Sequence, residues 1–282
     1  MNQTGLVLEG GGMRGIYTAG VLDCFLENEV YTDAVFAVSA GGIHGLNYVS
    51  KQKGRSFEIV RDYLNDPRYC SIRSLITTGD MFGADFCYNE IPNKLNIFDY
   101  ETFNNSKQKL FVVCANVVTG GAEYFEIKNM KRDIGYIRAS ASLPLISRTL
   151  VIKGKMLLDG GICDSIPIVK SREMGYKKNI VILTRPADYR KGPNETLPLI
   201  KLRYRKYPEF IDAAKNRHIV YNETLEKLKE LEKGEYTLVI RPSKPVEVSR
   251  LEKDMSKIKD LYKLGYIDGQ NMIDKVIKFI EK

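Results

Sequence analysis

A strand that runs straight into a glycine-rich turn and a helix, followed at once by a second strand ending on a serine, limits this chain's fold more than any other feature. Leu6-Val7-Leu8 is a short apolar run of the kind that parallel sheets bury on both faces. Glu9-Gly10-Gly11-Gly12-Met13-Arg14-Gly15 follows, and then apolar residues recur at helical spacing through Ala19, Leu22, Phe25 and Leu26. A second run, Ala34 to Val38, stops at Ser39, where another helical pattern begins. Consecutive strands joined by one helix lie parallel through a right-handed crossover, so both turns emerge on the same edge of the sheet. Continued strand and helix alternation through residue 185 predicts a three-layer α/β/α sandwich with a mostly parallel central sheet.

Each turn carries its own chemistry. Phe36-Ala37-Val38-Ser39-Ala40-Gly41-Gly42 is a G-x-S-x-G elbow with Ala37 in place of the first glycine. A serine on such a strand-to-helix turn has its hydroxyl pushed clear of the backbone, and Ser39 therefore reads as a nucleophile. The glycine loop opens a helix, where unpaired N–H groups face outward at the positive end of the dipole and suit an oxyanion or a phosphate. Glycines 10, 12 and 15 also fit the G-x-G-x-x-G of dinucleotide-binding folds. That reading needs an acidic residue at the end of the second strand; here the strand ends on Ser39, and Asp33 stands at its beginning.

Taken together, four stretches resemble the patatin-like phospholipases. They are Gly10-Gly11-Gly12-Met13-Arg14-Gly15, Ala37-Val38-Ser39-Ala40-Gly41, Ala139-Ser140-Ala141-Ser142-Leu143-Pro144 and Asp159-Gly160-Gly161, in that order. The similarity covers residues 5 to about 185, and it departs from the family pattern at Ala37 and at Ser165, where many members carry asparagine. The resemblance implies a lipid acyl hydrolase working through a Ser39–Asp159 dyad and an acyl-enzyme. The oxyanion would be held by the loop Gly10, Gly11, Gly12, Met13, Arg14 and Gly15, chiefly by N–H groups around Gly11, Gly12 and Met13, with Arg14 fixing the loop. No metal and no cofactor is implied. A carboxylate of ordinary pKa near 3.9 is a weak base, so burial must raise it or the oxyanion hole must do most of the work.

The chain has only two histidines. His44 falls five residues beyond Ser39 on the next helix, away from the elbow, and reads as packing. His218 would complete the order Ser39, Asp159, His218 of the α/β-hydrolases and stands as the alternative base. That fold places several strands before its elbow, and here almost nothing precedes Ser39.

The remaining chain adds setting rather than chemistry. Hairpins are expected at Leu110–Asn116 with Glu123–Ile127 and at Thr149–Ile152 with Lys155–Leu158, and a core strand at Asn179–Thr184. Residues 55–105 give mixed signals and are the candidate cover for the site. A helix over 209–233, a strand at Tyr236–Ile240 and two terminal helices, about 249–264 and 268–281, close what reads as one domain over 1–282. Five cysteines without paired or metal-ligand spacing read as reduced thiols, and no leader is evident at Met1 to Gly5, so the expected location is cytoplasmic. The net charge of +8 raises an anionic partner, nucleic acid or membrane. Residues 185–206 hold seven cations against two carboxylates, five of those eight charges, interleaved with Tyr189, Leu199, Leu202 and Tyr204. We therefore expect a fatty-acyl ester substrate and peripheral contact with an anionic membrane surface, and no nucleic acid.

Overall fold

A computed structural model describes residues 3–281; Met1, Asn2 and Lys282 lie outside the described residues, so part of the expected leaderless start falls there. The first strand, β1 (Thr4–Leu8), leads through a 3-10 turn at Gly12–Gly15 into α1 (Ile16–Glu27), and β2 (Ala34–Val38) leads directly into α2 (Ala40–Val49). Helices α3 (Arg55–Tyr63), α4 (Ile72–Thr78) and α5 (Tyr100–Asn104) follow, with a π-helical stretch at Phe86–Leu95. Then come β3 (Lys109–Asn116), β4 (Ala122–Glu126), α6 (Met130–Ser140), β5 (Leu150–Ile152) and β6 (Lys155–Asp159). The chain closes with α7 (Ile168–Glu173), β7 (Lys178–Ile182), α8 (Leu197–Arg203), α9 (Pro208–Glu232), β8 (Thr237–Ile240) and α10 (Met255–Glu281).

One eight-stranded sheet runs β5-β6-β3-β2-β1-β7-β8, with β4 on β3 as well. Its centre, β3-β2-β1-β7-β8, is parallel throughout, as the uninterrupted burial of β1, β2 and β7 requires. The two hairpins are antiparallel and lie beyond it. Register then brings the second half of the chain to the first. β4 lines one edge of β3 across Phe111–Ala115, so β2, paired to Lys109–Val113, and β6, paired to Cys114–Asn116, share the other edge. Val38 pairs with Val113 and Asp159 with Cys114, which sets Asp159 just where β2 gives way to Ser39.

The largest apolar core, including Leu6, Leu8, Phe25, Val35, Leu110 and Ile180, lies between the sheet and the α1, α2 and α10 layer; a second, including Val7, Phe36, Phe111 and Leu228, lies under α9. The two expected terminal helices are one. Gly265 looks like an interruption in the sequence, yet a Cβ there would sit 2.1 Å from the Tyr17 carbonyl oxygen. The missing side chain is what lets α10 lie directly on α1, and the area buried by that contact outweighs the propensity cost of about 1 kcal/mol.

Candidate active site

Ser39 occupies a backbone conformation that L-residues avoid, φ 55° and ψ −124°, between β2 and α2. Such strain persists only where its surroundings enforce it. Here the Ser39 N–H donates to Ser140 Oγ at 3.0 Å, and Gly41 lies so near β1 that a Cβ would come 2.9 Å from the Leu8 carbonyl oxygen. Ala37 is fully buried in the strand and leaves the turn intact. The stretch ending in Pro144 ties the site together, because the Asp159 N–H donates to the Ser142 carbonyl at 2.8 Å. Ser140 belongs to a stretch visible in the sequence, but its hydroxyl's task could be seen only in three dimensions.

Asp159 is buried at the end of β6. Its Oδ1 accepts the Gly161 N–H at 2.7 Å, and its Oδ2 has no hydrogen bond of full geometry. Burial pushes the carboxyl above its usual range, while the Ser39 hydroxyl, then the Arg217 charge and the Gly161 N–H, pull it back. Ser39 and Asp159 thus line one cleft, and the Ser39 hydroxyl is the group that most offsets the burial of the carboxyl.

The glycine loop lies beside them: a Cβ on Gly10 would stand 3.1 Å from the Ser39 Cβ. The N–H groups of Gly10, Gly11 and Gly12 meet no acceptor among the described residues, whereas the Met13 N–H is already donated to the Arg250 carbonyl at 3.1 Å. The expectation for Met13 is therefore corrected, because its donor is committed. Arg14 also differs from expectation. Its guanidinium makes no hydrogen bond to the loop; its Nε is buried without a partner, and the side chain lines the cleft containing Ser39.

Two cavities meet at Ser39. One, of about 140 Å³, is apolar and is walled by Met13, Ile16, Ile43, Val60, Phe82 and Ile91 among others. Tyr69, Tyr88, Pro92 and Phe98 also line it, so residues of the 55–105 region wall the cavity that borders Ser39. The other is a small polar cleft lined by Glu9, Gly10 to Gly12, Arg14, Asp159, Ser165, Arg185, Lys191, Arg217 and Arg250. Sequence reasoning found neither Arg217 nor Arg250, and it assigned Arg185 and Lys191 to a membrane face.

Neither histidine meets the nucleophile. His218 lines neither cavity; its Nδ1 lies 3.1 Å from the Lys215 carbonyl on its own helix. His44 borders the apolar cavity, but its Nδ1 is paired with Ser56 Oγ at 3.0 Å, and burial lowers its pKa to about 4. Asp33, at the start of β2, accepts the Thr4 N–H at 2.7 Å on the edge opposite the glycine loop, out of reach of any ribose there. Among the described residues no group of His, Cys, Asp and Glu could hold a metal ion, and no helix is long and apolar enough to cross a membrane.

The chain is similar to several known proteins. The family model for patatin-like phospholipases matches residues 6–170, and a domain of unknown function, DUF6363, matches 207–281. The uncharacterized protein YjjU of Escherichia coli K12 is 25% identical, covering 98% of this chain and 78% of that protein. Lysophospholipase NTE1 of Meyerozyma guilliermondii is 25% identical over 93% of this chain, which spans only 19% of the relative's length. The crystal structure of VipD from Legionella pneumophila aligns with 98% of this chain and 67% of that one, at a TM-score of 0.47 and 14% identity.

Proposed function

The chain belongs to the patatin-like phospholipase family and is a lipid acyl hydrolase, and we propose that it works through Ser39 and Asp159 as a two-residue catalytic unit. One observation carries this reading: the strained Ser39 and a buried carboxylate oxygen without a full partner line the same cleft, beside glycine N–H groups with no acceptor. Asp159 Oδ2 takes the hydroxyl proton as Ser39 Oγ attacks the ester carbonyl. The N–H groups of Gly11 and Gly12 receive the negative charge that develops on the carbonyl oxygen. The alcohol leaves with the proton from Asp159, and a water deprotonated by the same carboxylate then hydrolyses the acyl-enzyme. The acyl chain lies in the apolar cavity.

The setting we propose is a single domain over residues 1–282, reduced and cytoplasmic, touching anionic membranes through α8. All five cysteines are free thiols. On α8, Ile200 packs inward, while Leu199 and Leu202 are exposed next to Lys201 and Arg203. Basic and apolar groups presented together favour a peripheral lipid contact.

Fluorophosphonate labelling and hydrolysis of a fluorogenic fatty-acyl ester test the unit. Wild type should label at Ser39, and Ser39→Ala should not. Ser39→Ala and Asp159→Asn should each lower turnover by at least about 1,000-fold, because the two groups act as one. His218→Ala should retain activity. A wild type that is folded yet neither labels nor hydrolyses, or a severe His218→Ala defect, would reject the proposal.

A further inference from the structure

We propose that the polar cleft beside Ser39 is the subsite for the leaving alcohol and that it takes a phosphate monoester. The preferred substrates are then acyl esters of an alcohol that carries a phosphate monoester, ahead of phosphocholine (phosphodiester) esters with the same acyl chain. The assignment rests on the acyl-hydrolase reading above for its chemistry, and on the cleft itself for its selectivity.

Five cationic side chains, Arg14, Arg185, Lys191, Arg217 and Arg250, face this cleft against two carboxylates, Glu9 and Asp159. Neither carboxylate forms an ion pair with them. Glu9 is spent on neutral donors: Oε2 accepts the Thr184 N–H at 2.6 Å and its hydroxyl at 3.0 Å, and Oε1 accepts the Tyr221 hydroxyl at 2.7 Å. Asp159 is held by Gly161 and needed by Ser39. Among the described residues none of the five cations forms an ion pair. Both Arg14 and Arg185 leave Nε buried without an acceptor.

Gathering five cations in so small a volume is unfavourable unless an anion joins them. The crowding bears on the acidities of Arg14 and Lys191. Burial, then Arg185 and Arg250, lower Arg14 to about 10, and burial followed by Arg217 makes the Lys191 ammonium easier to deprotonate. A phosphate monoester, with up to two negative charges and several acceptor oxygens, answers this arrangement, and a quaternary ammonium would meet repulsion.

The cluster is also preorganised. The Lys191 N–H donates to Asn222 Oδ1 at 2.9 Å, Asn222 Nδ2 returns a bond to the Lys191 carbonyl at 3.0 Å, and Lys191 Nζ sits 3.7 Å from the centre of the Tyr221 ring. Arg217 Nε donates to the Gly161 carbonyl. Arg250 holds the glycine loop with its backbone while its side chain faces the cleft. Arg217 on α9 and Arg250 just before α10 come from residues 207–281, so the stretch matching a domain of unknown function supplies two of the five headgroup cations. With the acyl pocket on the far side of Ser39, the scissile ester lies between an apolar and a cationic cavity.

The test compares kcat/KM, below the micellar range, for three esters with one oleoyl group: lysophosphatidic acid, lysophosphatidylcholine and monooleoylglycerol. The phosphate monoester should lead lysophosphatidylcholine by about tenfold or more, and Arg250→Gln and Lys191→Gln should each cut that ratio about tenfold, with Arg250→Lys restoring much of it. Neither side chain donates a hydrogen bond that holds the fold, and loss in both variants would agree independently. Equal rates on the phosphate and choline esters, or variants that slow all three esters in proportion, would overturn the subsite while leaving the hydrolase standing.

Calorimetry of glycerol 3-phosphate and of inorganic phosphate with Ser39→Ala separates the two claims. Glycerol 3-phosphate binding that weakens in Arg250→Gln supports the subsite even where no ester is cleaved, a result that would sink the hydrolase reading alone. Binding of inorganic phosphate without headgroup selectivity in hydrolysis would mark a free-anion site and overturn the leaving-group assignment.

Discussion

On one side of Ser39 the wall is Met13, Ile16, Ile43, Leu46 and Ile137; on the other it is Glu9, Arg14, Arg185, Lys191 and Arg217. The apolar wall is shaped by volume. Each buried methylene contributes about 0.8 kcal/mol wherever it points, so no single residue there is indispensable. The polar wall is shaped by direction, and a donor moved by 1 Å stops serving a charge that develops at one atom. Substitutions on the polar side should therefore act on rate, whereas those on the apolar side should act on which chain fits.

Gly12→Ala is the strongest way to break this contrast. Gly12 has φ +59°, costly for alanine by roughly 1–2 kcal/mol, and its new methyl would stand 2.6 Å from the Arg250 carbonyl oxygen. The loop must then shift, carrying the Gly11 and Gly12 donors off target. Turnover should fall by about 100-fold while the order of preferred chain lengths stays the same. Stopped-flow acylation with short and long fluorogenic esters would check this; a changed chain-length order would mean that the walls are not independent.

His44 offers a second, smaller test, because it is a titratable group on the apolar wall and is held neutral there. Its folded pKa of about 4 lies below the ordinary value of 6.5, so as pH falls the unfolded chain takes up a proton before the folded one. The stability linked to His44 is complete above about pH 6.5 and is lost as pH falls toward 4, amounting to roughly 2 kcal/mol by pH 5. Buried Asp159 and Asp164, with raised pKa, push the other way, but they do so equally in a variant. Urea titrations at pH 7 and 5 should show wild type losing about 2 kcal/mol more than His44→Gln. Equal losses would mean that His44 is charged and that the apolar wall is wetter than its lining suggests.

The difference between the walls also explains what could be read in advance. The Gly10–Gly15 loop, the elbow at Ser39 and the Asp159 turn are each short and contiguous, because strand-to-helix geometry forces small residues into fixed local spacings. The strand-helix-strand order was enough to expect the loop and the elbow at one sheet edge, whereas Asp159 joined them only through the family resemblance, and the central parallel strands followed from the same apolar runs. Arg217 and Arg250 have no such local mark: one is a charge on an otherwise ordinary amphipathic helix, the other a loop residue, and only the tertiary path of α9 and α10 carries them to the cleft. Composition misled at Arg185 and Lys191 for a related reason. A count of cations along residues 185–206 records charge but not direction, and these two turn inward. The single helix α10 reads as two in the sequence because propensity describes an isolated helix, not one pressed against Tyr17.

The smallest expected effect belongs to the apolar wall itself. Ile43, half-buried on α2 one turn after Ser39, faces the cavity, and Ile43→Phe adds volume there without touching a donor or a charge. A cavity of about 140 Å³ cannot absorb a larger ring and the same acyl chain together, so the longer chain should lose contact first. One methylene of fit is worth about 1–3 kcal/mol at most, and α2 can yield part of that by small rotamer changes. The ratio of kcat/KM for a palmitoyl over a butyryl ester should therefore fall by about fivefold in Ile43→Phe, with acylation of the butyryl ester remaining efficient because Ser39 and Asp159 are undisturbed. A proportional loss on both esters would place the acyl chain elsewhere and make the cavity a packing feature. An unchanged ratio would show that the chain leaves the cavity before reaching α2.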